Sequence, residues 1–238
     1  MIRFFVALAL AIFSTTSLRA ETVSFQASDG VTVTADVSRG STNTVIVLFH
    51  MAGASRGEYK QIAPALNSLG YTTLAVDQRS GRSFGGVKNE TAARVPGKSA
   101  FIDAVPDLKA AVNYARQSLG ATRVGVVGSS YSASLVLVLA GQDRGFADAI
   151  MSFSPGEYFP DRALVKKSAA GITVPVFITA ARNEASQWKP IAEVIGGRAT
   201  GFVPNGAGKH GATALLTPAR DEYWAALQGF LKANLPAK

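Results

Sequence analysis

Short, uninterrupted apolar runs recur along the chain at intervals of about 25 residues, with segments of helical apolar spacing between them. The runs are rich in β-branched residues and show no polar alternation, which is typical of parallel strands buried on both faces. They lie at Val45–Phe49, Thr72–Val76, Val124–Val127, Ala149–Phe153, Val174–Ile178 and Ala199–Val203. Because this interval fits one strand–helix crossover unit, the pattern predicts an α/β fold, a mostly parallel central sheet with helices on both faces.

Three segments carry an apolar stripe at helical spacing, and we predict helices over Glu58–Leu69, Val105–Leu119 and Pro218–Leu235. Ahead of the parallel region, Thr22–Ala27 and Val31–Val37 alternate apolar and polar residues around an Asp-Gly pair. That arrangement predicts an antiparallel hairpin at the N-terminal end of the sheet. A further stretch, residues 78–98, is rich in Gly, Ser, Arg and Lys and is predicted to form a long surface loop.

The first twenty residues have the organisation of a secretory signal peptide. Arg3 supplies a positive charge, Phe4–Phe13 is an unbroken apolar run, and a polar stretch then ends at the small residue Ala20. The apolar run is too short for a permanent membrane span. We therefore expect residues 1–20 to be removed, and residues 21–238 to form one α/β domain in the periplasm or outside the cell, without a stable membrane anchor.

The composition excludes several kinds of site. The 238 residues include no cysteine, which rules out disulfides, thiol nucleophiles and cysteine-ligated metals. Only two histidines are present, so a histidine-rich metal centre is excluded as well, and we predict neither a metal nor an organic cofactor. The net charge of +8 comes from scattered Lys and Arg residues without a basic stripe, and it does not predict a nucleic-acid partner. A monomer is the default expectation.

The most informative motif follows the predicted strand Val124–Val127. The tripeptide Gly-x-Ser occurs four times, but only the copy that starts at Gly128 has a buried strand before it and an apolar helix after it. A serine on such a sharp turn projects its hydroxyl above the sheet edge, and only small residues fit two positions on either side of it. Ser130 is therefore the predicted nucleophile, with Ser132 standing where glycine is usual.

A serine hydroxyl becomes a good nucleophile only when a base removes its proton and an acid orients that base. His210 lies in a glycine-flanked loop, where it cannot be a packed core residue, and we predict that it is the base. Two carboxylates that follow predicted strands compete to be the acid: Glu184, which we favour, and Glu157. The chain order Ser130, Glu184, His210 is the one expected when these groups stand on the strand ends of such a sheet.

Acyl transfer also needs N–H donors for the negative charge that develops on the substrate oxygen. We expect one donor to be the backbone N–H of Tyr131, the residue after the predicted nucleophile. The second should come from the loop after Val45–Phe49, at Met51 or Ala52. His50 lies in the same loop, and we predict that it shapes this loop and does not act as the base.

Together these residues resemble the α/β-hydrolase superfamily over nearly all of residues 21–238. Val45–Gly53 is similar to the family's oxyanion strand and turn, with Met51 in place of the usual glycine, and Leu74–Gly81 looks like the next strand and its Asp-x-Arg-x-Gly turn. The similarity is greatest to the small dienelactone-hydrolase-like branch, which implies a serine hydrolase with little or no lid. Residues 154–173, where a lid is commonly inserted, are too few for one.

The leading hypothesis is an exported serine hydrolase that cleaves an ester-like bond of a small-molecule substrate. Two alternatives stay open: a catalytically silent member of the fold that binds an envelope ligand, and an acyltransferase that uses the same three residues. Without a lid the pocket is expected to be shallow and to take short-chain or compact acyl groups. We expect loop residues to form its walls, among them Phe84, Tyr131, Tyr158, Phe159 and Trp188.

Overall fold

The computed structural model describes residues 20–237, and within them eight strands form one sheet in the order β1-β2-β4-β3-β5-β6-β7-β8. The strands are β1 (Glu21–Gln26), β2 (Thr32–Ser38), β3 (Thr44–Phe49), β4 (Thr72–Val76), β5 (Arg123–Ser129), β6 (Ala149–Phe153), β7 (Val176–Thr179) and β8 (Ala199–Phe202). β2 pairs antiparallel with β1 and with β4, and the other neighbouring strands are parallel. This confirms the predicted fold class and its N-terminal hairpin. The predicted signal peptide lies outside the described residues, apart from Ala20.

Helices cover both faces of the sheet. They are α1 (Ile62–Ser68), α2 (Glu90–Arg94), α3 (Val105–Gln117), α4 (Tyr131–Gln142), α5 (Leu164–Ala169), α6 (Ala185–Ile195) and α7 (Arg220–Asn234). Buried side chains of α3, α4, α5 and α6 belong to one apolar core, and those of α1 and α7 belong to a second core. The sheet separates the two cores, as expected for strands that are apolar throughout.

Strand β3 shows how its sequence produces this arrangement. Side chains of successive strand residues point to opposite faces. Val45, Val47 and Phe49 accordingly pack into the core that contains α3 and α4. Ile46 and Leu48 pack into the other core, with α1 and α7. All five are fully or almost fully buried, so the strand carries its loop, which begins at His50, on a rigid support.

Two predicted elements differ from the structure. The helix predicted over Glu58–Leu69 is divided: a short 3₁₀ turn, Arg56–Tyr59, precedes α1, and in this turn the Glu58 side chain points inward and bonds other loops. The predicted loop over residues 78–98 contains α2, whose first turn is capped by Asn89 Oδ1, which accepts the Ala92 N–H at 2.8 Å. Between β6 and β7 the chain forms only α5, which leaves the carboxyl edge of the sheet uncovered by any inserted lid in this segment.

Candidate active site

Ser130 stands between β5 and α4, at the carboxyl edge of the sheet. Its φ of 59° and ψ of −121° form a conformation that residues with side chains rarely adopt, and its N–H donates to the Phe153 carbonyl oxygen at 2.8 Å. The turn requires glycine at position 128, because a Cβ there would lie 2.4 Å from the Ser132 carbonyl oxygen and 2.6 Å from Ala133 N. The local backbone is therefore the sharp strand-to-helix turn that the motif predicts.

His210 joins Ser130 to Glu184 in a line of short contacts. His210 Nε2 lies 2.8 Å from Ser130 Oγ, and His210 Nδ1 lies 2.6 Å from Glu184 Oε1. The His210 side chain is 40% exposed and that of Glu184 is 19% exposed, so the line runs along the open edge of the protein. A neutral imidazole that donates Nδ1–H to the carboxylate leaves Nε2 free to accept the serine proton.

Glu157, the rival candidate for the acid, lies in a different environment. Its two carboxylate oxygens accept the N–H groups of Val165 at 2.9 Å and Lys166 at 2.8 Å, in the first turn of α5. A carboxylate is favoured there because the first N–H groups of a helix have no partner within the helix. The structure thus places Glu157 as a helix cap and brings Glu184, instead of Glu157, to His210.

Ser154 belongs to this constellation although nothing in the sequence singled it out. Its Oγ donates to Glu184 Oε2 at 2.8 Å and accepts the Gly211 N–H at 2.9 Å. One buried hydroxyl therefore holds both the Glu184 carboxylate and the loop at residues 208–211 that carries His210, here called the histidine loop. Ser154 also has a φ of 59°, which it shares with Ser130. The signal that could have found it is its position directly after β6, the strand beside β5.

The two candidate oxyanion donors after β3 have different surroundings. The Met51 N–H donates to Glu58 Oε2 at 2.7 Å and is therefore occupied. The Ala52 N–H forms no hydrogen bond within residues 20–237. Tyr131 opens α4, where its N–H has no partner in the helix. Of the predicted donors, Ala52 and Tyr131 are consequently the ones with an N–H group to offer a substrate.

His50 is fully buried behind the same loop. Its Nε2 accepts the Gln78 N–H at 3.0 Å, and its Nδ1 donates to the Met51 carbonyl oxygen at 2.8 Å. Burial lowers the pKa of the imidazole to about 4, so the ring is neutral at physiological pH. Both ring nitrogens are engaged in holding the backbone of the loop, which agrees with the role predicted for His50.

Ser132, which replaces the usual glycine of the motif, uses its hydroxyl to join two loops. One is the turn at residues 128–132, here called the nucleophile turn, and the other is the loop at residues 50–53, here called the oxyanion loop. Its Oγ donates to the His50 carbonyl oxygen at 2.6 Å and accepts from Gln78 Nε2 at 2.6 Å. Gln78 Nε2 also donates to the Tyr131 hydroxyl at 3.0 Å. All of these groups are buried, and the hydroxyl leaves no polar atom unpaired.

A small, largely apolar cavity of about 330 Å³ has Phe101, which packs on Tyr131, in its wall. It is lined by Ser99, Ala100, Phe101, Ile102, Tyr158, Phe159 and Pro160. The Phe101 ring stacks on Tyr131 with centroids 4.4 Å apart, and the Tyr158 hydroxyl donates to the Ser154 carbonyl oxygen at 3.0 Å. Of the residues predicted to form the pocket wall, Tyr158 and Phe159 line this cavity, and Tyr131 packs behind Phe101.

A second cavity, of about 660 Å³, begins at Ala52 and Gly53 of the oxyanion loop and shares Ser99 with the first cavity. Its wall carries the exposed side chains of Arg82 and Lys98. The other two predicted wall residues line neither cavity. Trp188 is buried in the core around α6, and Phe84 pairs with Val87 in a separate turn; their hydrophobicity alone could not distinguish core or turn from pocket.

Residues 20–237 contain no group of three or more His, Cys, Asp or Glu side chains arranged to hold a metal ion. None of the helices in this part of the chain has both the length and the hydropathy that a membrane crossing requires.

Residues 29–194 match the dienelactone hydrolase family, whereas no curated protein matches the sequence. Among solved structures, the chain is similar to an esterase of Pyrococcus furiosus, with a TM-score of 0.72 and 19% identity over 91% of this chain and 93% of that chain. It is also similar to a dienelactone hydrolase from Anabaena variabilis, with a TM-score of 0.71 and 16% identity over 91% of this chain and 98% of that chain. A third similar structure is brefeldin A esterase, a bacterial homologue of human hormone sensitive lipase, with a TM-score of 0.65 and 18% identity over 97% of this chain and 81% of that chain.

At these identities the solved structures establish a shared fold. The family match establishes more, because it spans well over half of the chain and includes the oxyanion loop, the nucleophile turn and Glu184. It ends within α6, before the loop that carries His210. The chain belongs to the dienelactone hydrolase family and is a hydrolase of the esterase type.

Proposed function

We propose that this protein is an exported serine esterase that cleaves small or short-acyl esters through an acyl-enzyme on Ser130. The observation that carries the proposal is the line of contacts from Ser130 Oγ through His210 to Glu184, at 2.8 and 2.6 Å. A nucleophile within hydrogen-bond reach of a base, which is itself oriented by a carboxylate, is the arrangement that acyl transfer to serine requires.

In the acylation half-reaction, Ser130 Oγ attacks the acyl carbon while its proton passes to His210 Nε2. The imidazolium that forms is stabilised by Glu184. The negative charge on the acyl oxygen is bound by the N–H groups of Tyr131 and Ala52, and each such donor contributes roughly 10²–10³ in kcat. His210 then returns the proton to the leaving alcohol oxygen as the bond between that oxygen and the acyl carbon breaks.

The second half-reaction uses the same groups in reverse. Water gives a proton to His210 Nε2 and attacks the acyl carbon, and the proton returns to Ser130 Oγ as the carboxylic acid is released. The exposed position of His210 supports this step, because water reaches the imidazole directly. An alcohol that replaced water here would make the protein an acyltransferase.

The size of the apolar cavity favours substrates with a short acyl group. A volume of about 330 Å³ lies near the lower end of the range for ligand pockets. Its walls, which include Phe101 and Phe159, offer apolar contact to an acyl chain. We expect turnover to decline for acyl chains longer than about eight carbons, since residues 154–173 form no lid to cover them.

The lining of the second cavity favours a substrate that carries a negative charge on its alcohol part. Arg82 and Lys98 on its wall form no salt bridge within residues 20–237. Arg79, on the same wall, is already neutralised by Asp107 and Asp29, at 2.6 Å in each case. Two exposed cations beside the oxyanion loop favour an anionic ester over a cationic one.

Labelling with a fluorophosphonate probe tests the proposed nucleophile. The mature protein, Ser130→Ala and His210→Ala are incubated with the probe, and the adduct is located by mass spectrometry. We expect one adduct on Ser130, absent from both variants, and hydrolysis of p-nitrophenyl acetate that both substitutions abolish. Absence of an adduct under conditions that label a known serine esterase would refute the proposal and favour a catalytically silent binding protein.

Export is tested separately. The full chain is expressed in a Gram-negative host, the cells are fractionated, and the N-terminus of the periplasmic or secreted protein is sequenced. We expect a mature N-terminus at Glu21, because the segment that ends at Ala20 has the order of a cleavable signal. A cytoplasmic protein that retains Met1 would contradict this part of the proposal.

A further inference from the structure

Glu58 is a buried carboxylate for which the reaction described above has no use. It lies in the 3₁₀ turn Arg56–Tyr59, which follows the oxyanion loop, and only 2% of the residue is exposed. Burying a carboxylate is costly unless its oxygens are well paired. A residue of this kind therefore needs an explanation in the contacts that it makes.

Those contacts connect three loops around Ser130. Glu58 Oε2 accepts the Met51 N–H at 2.7 Å, and Glu58 Oε1 accepts the hydroxyl of Ser129 at 2.6 Å. Ser129 Oγ in turn accepts the Ala212 N–H at 2.9 Å. Met51 belongs to the oxyanion loop, Ser129 immediately precedes Ser130, and Ala212 lies two residues after His210.

No cation within residues 20–237 pairs with Glu58. The neighbouring Arg56 is bonded instead to Asp36 and Asp77, at 3.0 and 2.5 Å. Glu58 consequently depends on its two hydrogen bonds for its stabilisation. These two hydrogen bonds fix the direction of the Met51 N–H and of the Ser129 hydroxyl, because both donors must point at the same side chain.

We propose that Glu58 is a positioning residue of the esterase site, which fixes the oxyanion loop and the nucleophile turn relative to each other and to the histidine loop. By holding the Met51 N–H, the Glu58 carboxylate sets the orientation of the loop so that the next N–H, that of Ala52, is left for the substrate oxygen. Through Ser129 it fixes the residue before the nucleophile. This inference rests on the proposed function, in which Ser130 attacks and Ala52 stabilises the oxyanion.

Glu58→Ala and Glu58→Gln separate positioning from bulk stability. Alanine removes both contacts. Glutamine keeps an acceptor for the Met51 N–H and presents its amide to Ser129 Oγ, so it preserves most of the geometry. Asp148→Asn is a matched control, because Asp148 Oδ2 also accepts a backbone N–H, that of Val124 at 2.7 Å, but at the opposite edge of the sheet.

Each purified protein is assayed for kcat and KM with p-nitrophenyl acetate and for the rate of fluorophosphonate labelling, at a temperature where circular dichroism shows it to be folded. For Glu58→Ala we expect kcat and the labelling rate to fall about 10- to 100-fold, with KM changed less than about threefold, since a displaced oxyanion donor weakens the transition state and not the ground state. Glu58→Gln should recover kcat to within about fivefold of the native value, and Asp148→Asn should keep it.

The outcomes separate the two proposals. If the native protein labels on Ser130 but Glu58→Ala behaves like Asp148→Asn, or differs from the native protein only in KM, then Glu58 does not position the site and the proposed function stands. If the native protein neither labels nor hydrolyses esters, the proposed function fails and this inference fails with it. If Glu58→Ala does not fold, Ser129→Ala decides the question, because it breaks the same connection with a smaller change; native-like kcat in that variant would overturn the inference.

Discussion

Replacing Ser154 with alanine offers a sharp test of how the acid and the histidine are held. The Ser154 hydroxyl donates to Glu184 Oε2 and accepts the Gly211 N–H, at 2.8 and 2.9 Å. Alanine removes both bonds but leaves the contact between His210 and Glu184 Oε1 in place. Hydrogen bonds to charged groups contribute about 1.5–3 kcal/mol, and about 1.4 kcal/mol corresponds to a factor of ten in rate. We expect kcat to fall by about tenfold to about a hundredfold if that bond acts in the transition state.

Ser134 provides a control with the same bonding pattern. Its buried Oγ donates to the Gly156 carbonyl oxygen at 2.6 Å and accepts the Gly156 N–H at 3.0 Å, without touching the acid or the histidine. Ser134→Ala and Ser154→Ala therefore lose two buried hydrogen bonds each, and we expect both to decrease the free energy of unfolding, by about 1–3 kcal/mol for each group left unpaired.

The assay compares kcat and KM for p-nitrophenyl acetate with urea unfolding of the same three proteins. We expect both variants to lose stability and only Ser154→Ala to lose kcat, with KM nearly unchanged. Equal activity in the two variants would refute the reasoning, because it would mean that the contact between Ser154 and Glu184 contributes to folding alone. A KM effect confined to Ser154→Ala would refute it as well.

Three further predictions concern charges. Glu184→Gln should reduce kcat by several orders of magnitude, because a neutral amide does not hold the imidazolium, whereas Glu157→Gln should retain activity; steady-state kinetics of the pair decide which carboxylate is the acid. Burial raises the pKa of Glu58 from 4.5 to about 7, so the native state binds a proton that the unfolded state releases, and this group makes stability fall as pH rises from about 4.5 to about 7. The free energy of unfolding, measured with urea between about pH 4.5 and about pH 7, should fall by up to about 3 kcal/mol less in Glu58→Gln than in the native protein. An equal fall in the two proteins would contradict this prediction. Replacing both Arg82 and Lys98 with alanine should raise KM for an ester with a carboxylate on its alcohol part and leave KM for the neutral ester unchanged; equal effects on both esters would exclude an electrostatic role.

The parallel part of the fold was predictable because its central strands had to be apolar on both of their faces. A continuous run such as Val45–Phe49 fits only the centre of a sheet covered on two sides, and the recurrence of such runs fixed the strand–helix alternation. That Ser130, His210 and Glu184 lie close together could also be predicted, since each follows a strand and the carboxyl ends of parallel strands meet at one edge. Position along the chain was sufficient information for these residues.

The contacts that tie the loops to one another were not predictable. Glu58 and Ser129 are 71 positions apart, and their bond depends on a 3₁₀ turn where the apolar periodicity predicted a helix. The Met51 N–H was a reasonable oxyanion donor until the structure showed that this carboxylate occupies it. Trp188 illustrates the converse difficulty, because a large aromatic residue on an amphipathic helix has the same sequence signature in a core as beside a pocket.

The departure of Ser132 from the usual glycine is best understood together with Ser129 and Ser154. Each of the three is a buried serine whose hydroxyl donates to one loop and accepts from another, so that the oxyanion loop, the nucleophile turn, the acid and the histidine loop are all connected. A hydroxyl can do this because it is both donor and acceptor in one small group, whereas glycine at position 132 would leave the His50 carbonyl oxygen without this partner. Residues 154–173 contain no inserted lid that could hold these groups from above, and we therefore expect the buried serine hydroxyls to hold Ser130, Glu184 and His210 in place.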